Sequence, residues 1–222
     1  MLRASPAGRD GMNLPNALTL SRILATPLIF ILPFADTWEL KLAGFVIYVI
    51  AAVSDYWDGA LARTRNLVTD LGKLLDPLAD KALLLSTLVP IFLLQSGHGT
   101  VLDLRFVTPW GDAALPLWVL VVVLGRELFM TVFRQAAARR GTVIAAIGPA
   151  KWKTGFQSVW VGSAYFWFAA KAAAFHWQWT SSWWRAFENF NGIVGVVTMT
   201  VAVVLTVYSL GLYLRRYARV FA

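Results

Sequence analysis

Five of the chain's twelve acidic residues lie in one short stretch, SDYWDGALARTRNLVTDLGKLLDPLADK, at residues 54–81. Asp55 and Asp58 are three residues apart, which places both carboxylates on one face of a helix. Asp76 and Asp80 are four residues apart and would share a face in the same way. Long apolar runs flank the stretch, and a carboxylate inside a bilayer is costly. The clustering therefore predicts that a positively charged partner holds these carboxylates together.

The chemistry that suits such a cluster is metal-assisted phosphoryl transfer. The chain has no cysteine and only two histidines, His98 and His176, which disfavours thiolate and histidine-rich zinc sites. Oxygen-only ligands suit Mg²⁺ or Mn²⁺, which bridge protein carboxylates and substrate phosphates. Two such ions would stabilise both the attacking and the leaving oxygen. We predict that this pair of ions is held by Asp55, Asp58, Asp76 and Asp80.

Each aspartate also has a structural interpretation. Asp76 precedes Pro77, a pattern that is typical of a helix N-cap followed by a proline in the first turn. Asp55 and Asp58 are compatible with a charged helix end that faces water. The two helical spacings and the apolar flanks, taken together, favour a site. Gly59 and Gly72 add to this interpretation, because glycine within a helix indicates close approach of a ligand or another backbone.

The composition predicts the elements that must position this site. The chain of 222 residues is 58% hydrophobic and 14% charged, whereas an average soluble domain is about 25% charged. We predict an all-α polytopic membrane protein of a single domain, residues 1–222, with residues 1–12 as a flexible N-terminal extension. Six stretches are long enough to cross a hydrocarbon core of about 30 Å: residues 17–35, 38–63, 73–95, 113–138, 152–175 and 190–215. The connection between the second and third spans is short, so these helices should be antiparallel neighbours.

The basic residues predict the orientation of these spans. Fourteen of the twenty fall on one side and four on the other, while Lys81 and Arg126 lie inside spans. The positive-inside rule then places both termini and the aspartates at the cytoplasmic face. The same rule accounts for the net charge of +8 without a nucleic-acid partner. On the opposite side, FHWQWTSSWWRAF is typical of an interfacial aromatic belt, and we interpret residues 97–112 as a simple loop.

The residues around the aspartates sharpen this interpretation. Residues 55–80 follow the pattern Asp-x₂-Asp-Gly-x₂-Ala-Arg-x₈-Gly-x₃-Asp-x₃-Asp. This pattern resembles, at all eight fixed positions, the signature of the CDP-alcohol phosphatidyltransferase family. The resemblance implies a six-helix CDP-alcohol phosphotransferase bundle, a homodimer in a bacterial inner membrane with its site open to the cytoplasm. It also implies transfer of a substituted phosphoryl group from a CDP-linked donor to an alcohol, with release of CMP.

The resemblance also implies roles for individual residues. Asp80 would be the general base that deprotonates the acceptor hydroxyl, in addition to being a metal ligand. The CDP-linked donor would be bound by Asp55, Asp58, Gly59, Ala62, Arg63 and Gly72. In the first span Asn16, Thr19 and Arg22 are spaced by three and share a face. We predict that Asn16 and Thr19 contact the donor; alternatively, they serve the helix start and Arg22 extends to the membrane interface.

The acceptor is predicted from a basic segment, GRELFMTVFRQAAARRGTVIAAIGPAKWKTG, at residues 125–155. Arg126 and Arg134 are eight residues apart and share a helix face, and Lys151 and Lys153 begin the next span. These four cations would form a pocket for the phosphate of a small acceptor. The alternatives are a structural pair between Arg126 and Glu127 and, for the others, ordinary positive-inside charge.

This basic segment and NLPNALTLSRI, at residues 13–23, resemble bacterial family members that use sn-glycerol 3-phosphate as the acceptor and CDP-diacylglycerol as the donor. Membrane lipids would surround such an enzyme. Within the same family, phosphatidylglycerol and inositol phosphate are alternative acceptors. A cation transporter with intramembrane aspartates is a more distant alternative, which predicts acidic residues in several spans. The spans other than the second and third contain only one acidic residue, Glu127.

Overall fold

The computed structural model describes the backbone of residues 14–65, 70–142, 144 and 148–217, and the side chains of these residues except 14, 15, 55–71, 73 and 74. Six α-helices and no β-sheet are found in this part of the chain. The helices are α1 (Leu14–Ile31), α2 (Trp38–Arg65), α3 (Asp70–Gln95), α4 (Leu117–Arg139), α5 (Gly148–His176) and α6 (Ser182–Tyr217). The all-α prediction is confirmed, and each predicted span overlaps one helix. The predicted extension at residues 1–12 lies outside the described residues.

The apolar segments indicate a multi-pass membrane protein. Within the described residues, three are long and apolar enough to cross a bilayer: Asn16–Phe34, Leu75–Gln95 and Ser182–Tyr217. They belong to α1, α3 and α6. Charged residues interrupt the apolar runs elsewhere, for example Arg126 and Glu127 in α4. The structure therefore supports three of the six predicted crossings by length and composition.

The helices pack around α1 and α5. Helix α1 packs extensively against both α2 and α3, while α5 packs against α2 and α6. The Tyr165 hydroxyl oxygen lies 3.0 Å from the carbonyl oxygen of Ile29 and 2.9 Å from that of Ser86, which ties α5 to α1 and α3. Among the described residues, α2 and α3 make no extensive contact with each other. Asp55 and Asp58, which the predicted seam between α2 and α3 includes, have side chains outside the described residues. The seam therefore stays a prediction, and α1 packs against both helices.

Helix α3 begins earlier than its predicted span. It begins at Asp70 rather than at residue 73, so that Asp76 and Pro77 lie inside the helix. The alternative interpretation of Asp76 as an N-cap is therefore wrong. The Asp76 carboxylate therefore does not cap the N–H groups at the start of the helix, and its side chain is exposed. Asp80 follows one turn later on the same face and is also exposed.

We call the end of the bundle that carries Trp177, Trp179, Trp183 and Trp184 the tryptophan end, and the end that carries Asp76 and Asp80 the aspartate end. At the tryptophan end, α6 begins at Ser182 rather than at residue 190. The hydroxyl oxygen of Ser181 accepts a hydrogen bond from the backbone N–H of Trp184 at 3.2 Å. Such a side-chain contact satisfies one of the unpaired N–H groups at a helix start. Residues 182–189, which lie outside the predicted sixth span, are therefore helical.

The connection that we interpreted as a simple loop packs into the tryptophan end. Phe106 pairs with Ala113 in an antiparallel bridge, and its side chain is buried. Its ring lies against Gly195 of α6, where an added Cβ would be 2.4 Å from a ring carbon. An added Cβ on Gly192 would be 1.8 Å from the carbonyl oxygen of Val107. The absence of side chains at these two glycines therefore lets the connection approach α6 closely.

Candidate active site

Two aspartates on α3 receive hydrogen bonds from α1. The Thr19 hydroxyl donates to Oδ1 of Asp76 at 2.8 Å, and the Arg22 guanidinium Nη1 donates to Oδ1 of Asp80 at 3.2 Å. Both donors are buried, at 1% and 2% residue exposure. Residues 19 and 22 lie on one helix face, just as residues 76 and 80 do, so the two faces meet. The alternative in which Arg22 extends to the membrane interface is wrong, since Arg22 is buried against α3.

The geometry leaves both carboxylates oriented and accessible. The Asp80 side chain is 61% exposed although its Arg22 partner is 1% exposed. A hydrogen bond from a buried donor holds one oxygen of each carboxylate in place. Outer contacts of this kind orient the carboxylates that bind metal ions. Asp76 and Asp80 therefore fit a hard divalent cation in donor type and in accessibility.

The remaining predicted metal and donor residues are only partly described. Asp55, Asp58, Gly59, Ala62 and Arg63 belong to helix α2, and their side chains lie outside the described residues. Among the side chains that are described, no group of three or more His, Cys, Asp or Glu residues is placed to hold a metal ion. Two further predicted donor residues, Asn16 and Gly72, are buried in α1 and α3. The assignment of all seven residues remains a prediction.

A cavity of about 190 Å³ lies beside Asp80 and is bounded by α2, α3, α4 and α5. Its polar lining includes Asp80, Lys81, Glu127, Lys153, Thr154 and Gln157. Apolar side chains of α3 and α5, such as Leu84 and Val161, complete the walls. The cavity thus places the predicted general base and one predicted acceptor cation around the same space. A small polar molecule with a negative charge would meet complementary groups there.

Glu127 connects two of the predicted acceptor cations. One of its carboxylate oxygens accepts from Arg126 Nη1 at 2.8 Å and from Lys153 Nζ at 2.5 Å. Arg126 also donates to the Ser209 hydroxyl at 3.1 Å, which links α4 to α6. Arg126 and Lys153 are both buried. The structural pair between Arg126 and Glu127 that we considered is therefore present, and Lys153 shares it.

The other two predicted cations lie farther from the cavity. The Arg134 guanidinium lies over the Tyr213 ring, 5.8 Å from its centroid, and Arg126 approaches the same ring at 6.0 Å. Lys151 is exposed at the start of α5 and does not line the cavity. The structure therefore brings Lys153 directly to the cavity and Arg126 to it through Glu127.

Sequence reasoning missed four features of this site. It did not predict the contact between Arg22 and Asp80 or the two hydrogen bonds that Glu127 accepts from cations. It also did not predict that Lys81 and Gln157 line the cavity. An ionisable residue inside an apolar span is a recognisable signal for a functional site, and Lys81 carried that signal. Gln157 carried none, because its contribution depends on the rotation of α5 against α3. Its Oε1 atom is buried and accepts no hydrogen bond from the described residues.

Comparison with known proteins gives a consistent result. A sequence profile of CDP-alcohol phosphatidyltransferases matches residues 12–208 of this chain. A "CDP-diacylglycerol--glycerol-3-phosphate 3-phosphatidyltransferase" of Bacillus subtilis is 37% identical over 163 residues, which cover 68% of this chain and 75% of that protein. A "Probable phosphatidylglycerophosphate synthase" of Mycobacterium tuberculosis is 36% identical over 160 residues, covering 70% of this chain and 68% of that protein.

A plant relative extends the range of organisms. The "CDP-diacylglycerol--glycerol-3-phosphate 3-phosphatidyltransferase 1, chloroplastic/mitochondrial" of Arabidopsis thaliana is 35% identical over 154 residues. The matched part covers 66% of this chain and 48% of that protein. Relatives from two bacteria and a plant thus match about two thirds of this chain.

Proposed function

Because this chain belongs to the CDP-alcohol phosphatidyltransferase family, we propose that it transfers the phosphatidyl group of CDP-diacylglycerol to sn-glycerol 3-phosphate. The products are phosphatidylglycerophosphate and CMP. The names of the bacterial and plant relatives support this donor and this acceptor. The observation that carries the proposal is the small charged cavity that places Asp80 and Lys153 around one space.

The size and the lining of the cavity support a small phosphorylated acceptor. Its volume of about 190 Å³ lies below the roughly 300–1,000 Å³ of sites for drug-sized ligands. A diacylated acceptor such as phosphatidylglycerol would need an apolar groove in addition. The buried Oε1 atom of Gln157 is a hydrogen-bond acceptor without a partner among the described residues. After a rotation of its terminal amide, it would suit a hydroxyl group of a polyol.

Asp80 is the residue that we assign as general base. The acceptor hydroxyl gives its proton to the Asp80 carboxylate while its oxygen bonds to the phosphorus that carries diacylglycerol. The bond from this phosphorus to the CMP oxygen breaks, and CMP leaves with the electron pair. Arg22 holds one oxygen of Asp80 in place, so the carboxylate is already oriented when the acceptor enters. A positioned base of this kind contributes about 10²–10⁴-fold to a rate.

Divalent metal ions are general in this family. We propose two Mg²⁺ or Mn²⁺ ions, for which Asp55, Asp58, Asp76 and Asp80 are the ligands. When bound, such ions neutralise the negative charge of a diphosphate. Thr19 keeps the Asp76 carboxylate oriented through its hydroxyl. The CDP moiety is assigned to Gly59, Ala62, Arg63 and Gly72, with Asn16 and Thr19 of α1 beside it.

The acceptor phosphate is assigned to the cations of α4 and α5. Lys153 lines the cavity, and Arg126 and Lys153 share the Glu127 carboxylate. Arg134 lies next to Arg126 at the Tyr213 ring. Lys151, at the exposed start of α5, would attract an anionic acceptor from solution rather than contact it in the cavity.

The proposed setting is a bacterial inner membrane. All six helices cross it, and both termini and the aspartate end face the cytoplasm, where charged acceptors are dissolved. The excess of basic residues on that side supports this orientation. A single domain, residues 1–222, forms each protomer of a homodimer, and the membrane lipid CDP-diacylglycerol reaches the site from the bilayer.

The test is CMP release by the purified protein in detergent with CDP-diacylglycerol and Mg²⁺ or Mn²⁺. sn-Glycerol 3-phosphate, inositol phosphate and phosphatidylglycerol are compared as acceptors. We expect release with sn-glycerol 3-phosphate and a fall of about 10²–10⁴-fold in the Asp80→Asn variant. An Asp112→Asn variant, altered at the tryptophan end, is the matched control and should keep full activity.

Other outcomes separate the alternatives. Release with inositol phosphate or phosphatidylglycerol alone would keep the reaction and reject the proposed acceptor. An Asp80→Asn variant with unchanged turnover would reject the assigned base. If folded protein releases no CMP with any acceptor, the proposed activity is wrong, and cation flux in proteoliposomes becomes the next measurement.

A further inference from the structure

Among the described residues around the cavity, the carboxylates have cationic partners, but one of the cations has no carboxylate partner. Glu127 accepts hydrogen bonds from Lys153 and from Arg126, and Asp80 accepts one from Arg22. Both carboxylates of the lining are therefore already engaged with cations. Lys81 also lines the cavity, yet no carboxylate or hydrogen-bond partner is found for its ammonium group among the described residues. Of the lining cations, Lys81 is thus the one whose charge is not offset by a described side chain.

The position of Lys81 makes this unpaired charge costly. Lys81 is half-buried in the segment Leu75–Gln95, one of the three described segments that can cross a membrane. Cations within such segments are rare, and they face a cavity or a partner when they occur. A lysine that only needed water could extend along an apolar surface to the interface. Lys81 instead contributes to the wall of a polar cavity, where an anionic ligand would offset its charge.

We propose that Lys81 binds the phosphate group of the acceptor. This inference rests on the proposed function, in which a small phosphorylated alcohol enters the cavity. A phosphate monoester brings close to two negative charges and three strong acceptor oxygens, and an ammonium group offers three donors. Lys153 and Arg126 have their positive charge partly offset by Glu127, so Lys81 supplies attraction that they lack. Lys81 also follows Asp80 in the chain, which places the phosphate and the reacting hydroxyl in one cavity.

The test is steady-state kinetics of a Lys81→Met variant, with each substrate varied in turn. Methionine keeps the length and the apolar stem of lysine and removes the charge. Loss of one charge-assisted hydrogen bond predicts a KM for sn-glycerol 3-phosphate that rises about 10- to 100-fold. The KM for CDP-diacylglycerol should stay within about twofold, because the donor is assigned to other residues of the site. A Lys81→Arg variant keeps the charge and should recover most of the loss.

Two further measurements keep the test specific. sn-Glycerol 3-phosphate should raise the thermal unfolding temperature of the wild-type protein and of an Arg139→Gln variant. Arg139 is an exposed cation at the end of α4 and serves as the matched charge control. The Lys81→Met variant should lose this ligand-induced shift while CDP-diacylglycerol still stabilises it. A variant that is merely misfolded would lose both shifts.

Several results would overturn the inference. An unchanged KM for sn-glycerol 3-phosphate would reject it, and so would a rise confined to the KM for CDP-diacylglycerol. Loss of both ligand-induced shifts would assign Lys81 to the fold instead. If the wild-type protein uses inositol phosphate, the proposed acceptor is wrong, and the same KM comparison with inositol phosphate decides the role of Lys81.

Discussion

One cavity at the tryptophan end and one at the aspartate end of the bundle have opposite linings. At the tryptophan end a cavity of about 300 Å³ is lined only by apolar and aromatic side chains, among them Trp38, Trp177 and Phe187. At the aspartate end the cavity of about 190 Å³ contains carboxylates, lysines and an amide. These two cavities therefore suit ligands of opposite chemistry, one apolar and one charged.

The polar groups of the two ends have different partners. At the tryptophan end Lys171 donates to Glu188 at 2.7 Å, and Trp167 Nε1 donates to the backbone carbonyl of Arg105 at 2.9 Å. These contacts join helices or anchor a connection. At the aspartate end Lys81 and the Oε1 atom of Gln157 lack described partners, and Asp80 stays 61% exposed. Polar groups that are satisfied within the fold stabilise it, while those left facing a cavity are available to a substrate.

After Asp80→Asn, the largest effect that separates the two ends is expected for Asp76→Asn. The change removes a charge from the proposed metal and diphosphate site and should lower kcat about 10²–10³-fold, as loss of one electrostatic contact to a reacting group does. The thermal unfolding temperature of the variant should stay close to that of the wild-type protein, because Asp76 is exposed. CMP release and thermal unfolding measure the two effects. Wild-type turnover in this variant would contradict the site assignment.

The reverse pattern is expected for Gly192→Ala at the tryptophan end. The added Cβ would lie 1.8 Å from the Val107 carbonyl oxygen, so the connection must move away from α6. Overpacking of this kind costs about 1–3 kcal/mol of unfolding free energy, whereas kcat per folded molecule should not change. Gly211→Ala, on the same helix, is the matched control because no atom lies within 4 Å of its added Cβ. Equal unfolding temperatures for both variants would refute the close contact.

A smaller effect is expected for Thr19→Val, which refines the description of the aspartate end. The change removes the hydroxyl that donates to Asp76 at 2.8 Å and keeps the shape of the side chain. Outer contacts of this kind alter metal affinity by about 10–100-fold, so the Mn²⁺ concentration for half-maximal activity should rise at least about 10-fold. Thr200→Val is the control, because its hydroxyl bonds only to the backbone of its own helix. An unchanged Mn²⁺ dependence would show that Thr19 does not orient a metal ligand.

The smallest effect is expected for Asp103→Asn at the tryptophan end. A side-chain hydrogen bond from Arg105 holds the pKa of the Asp103 carboxyl below its usual value of 3.8. The pair is exposed, so solvent screening should keep its contribution to the unfolding free energy small. A lowered folded-state pKa stabilises the fold above pH 3.8, and this contribution is lost as the pH falls through the folded-state value.

The measurement for Asp103 is the difference in unfolding temperature between the wild-type protein and the variant. We expect a small difference at pH 7 that shrinks as the pH is lowered below 3.8. A difference that grows in acid would contradict the assigned direction of the pKa shift. Activity should be the same in both proteins at pH 7, since the pair lies at the end of the bundle away from Asp80.

Local patterns predicted the helices well, and they did not predict how α1 packs between its neighbours. All six helices overlap their predicted spans, because each span is a long apolar run that favours a helix. The start of α6 at Ser182 was missed, because the tryptophans before residue 190 were interpreted only as an interfacial belt. The α2–α3 seam, predicted from a short connection, stays a prediction, and the packing of α1 against both helices was not predicted. Chain proximity restricts which helices can meet, and packing of complementary faces decides which do.

By itself the sequence determined the family, the all-α class and the aspartate pattern, because each depends on residue types at fixed spacings along one chain. Only the tertiary structure decided that Arg22 holds Asp80, that Glu127 joins Arg126 to Lys153, and that Lys81 lines the cavity. These contacts join α1 to α3 and α4 to α5, so they depend on how each helix is rotated about its axis. That rotation follows from packing over the whole bundle, and no local spacing contains it.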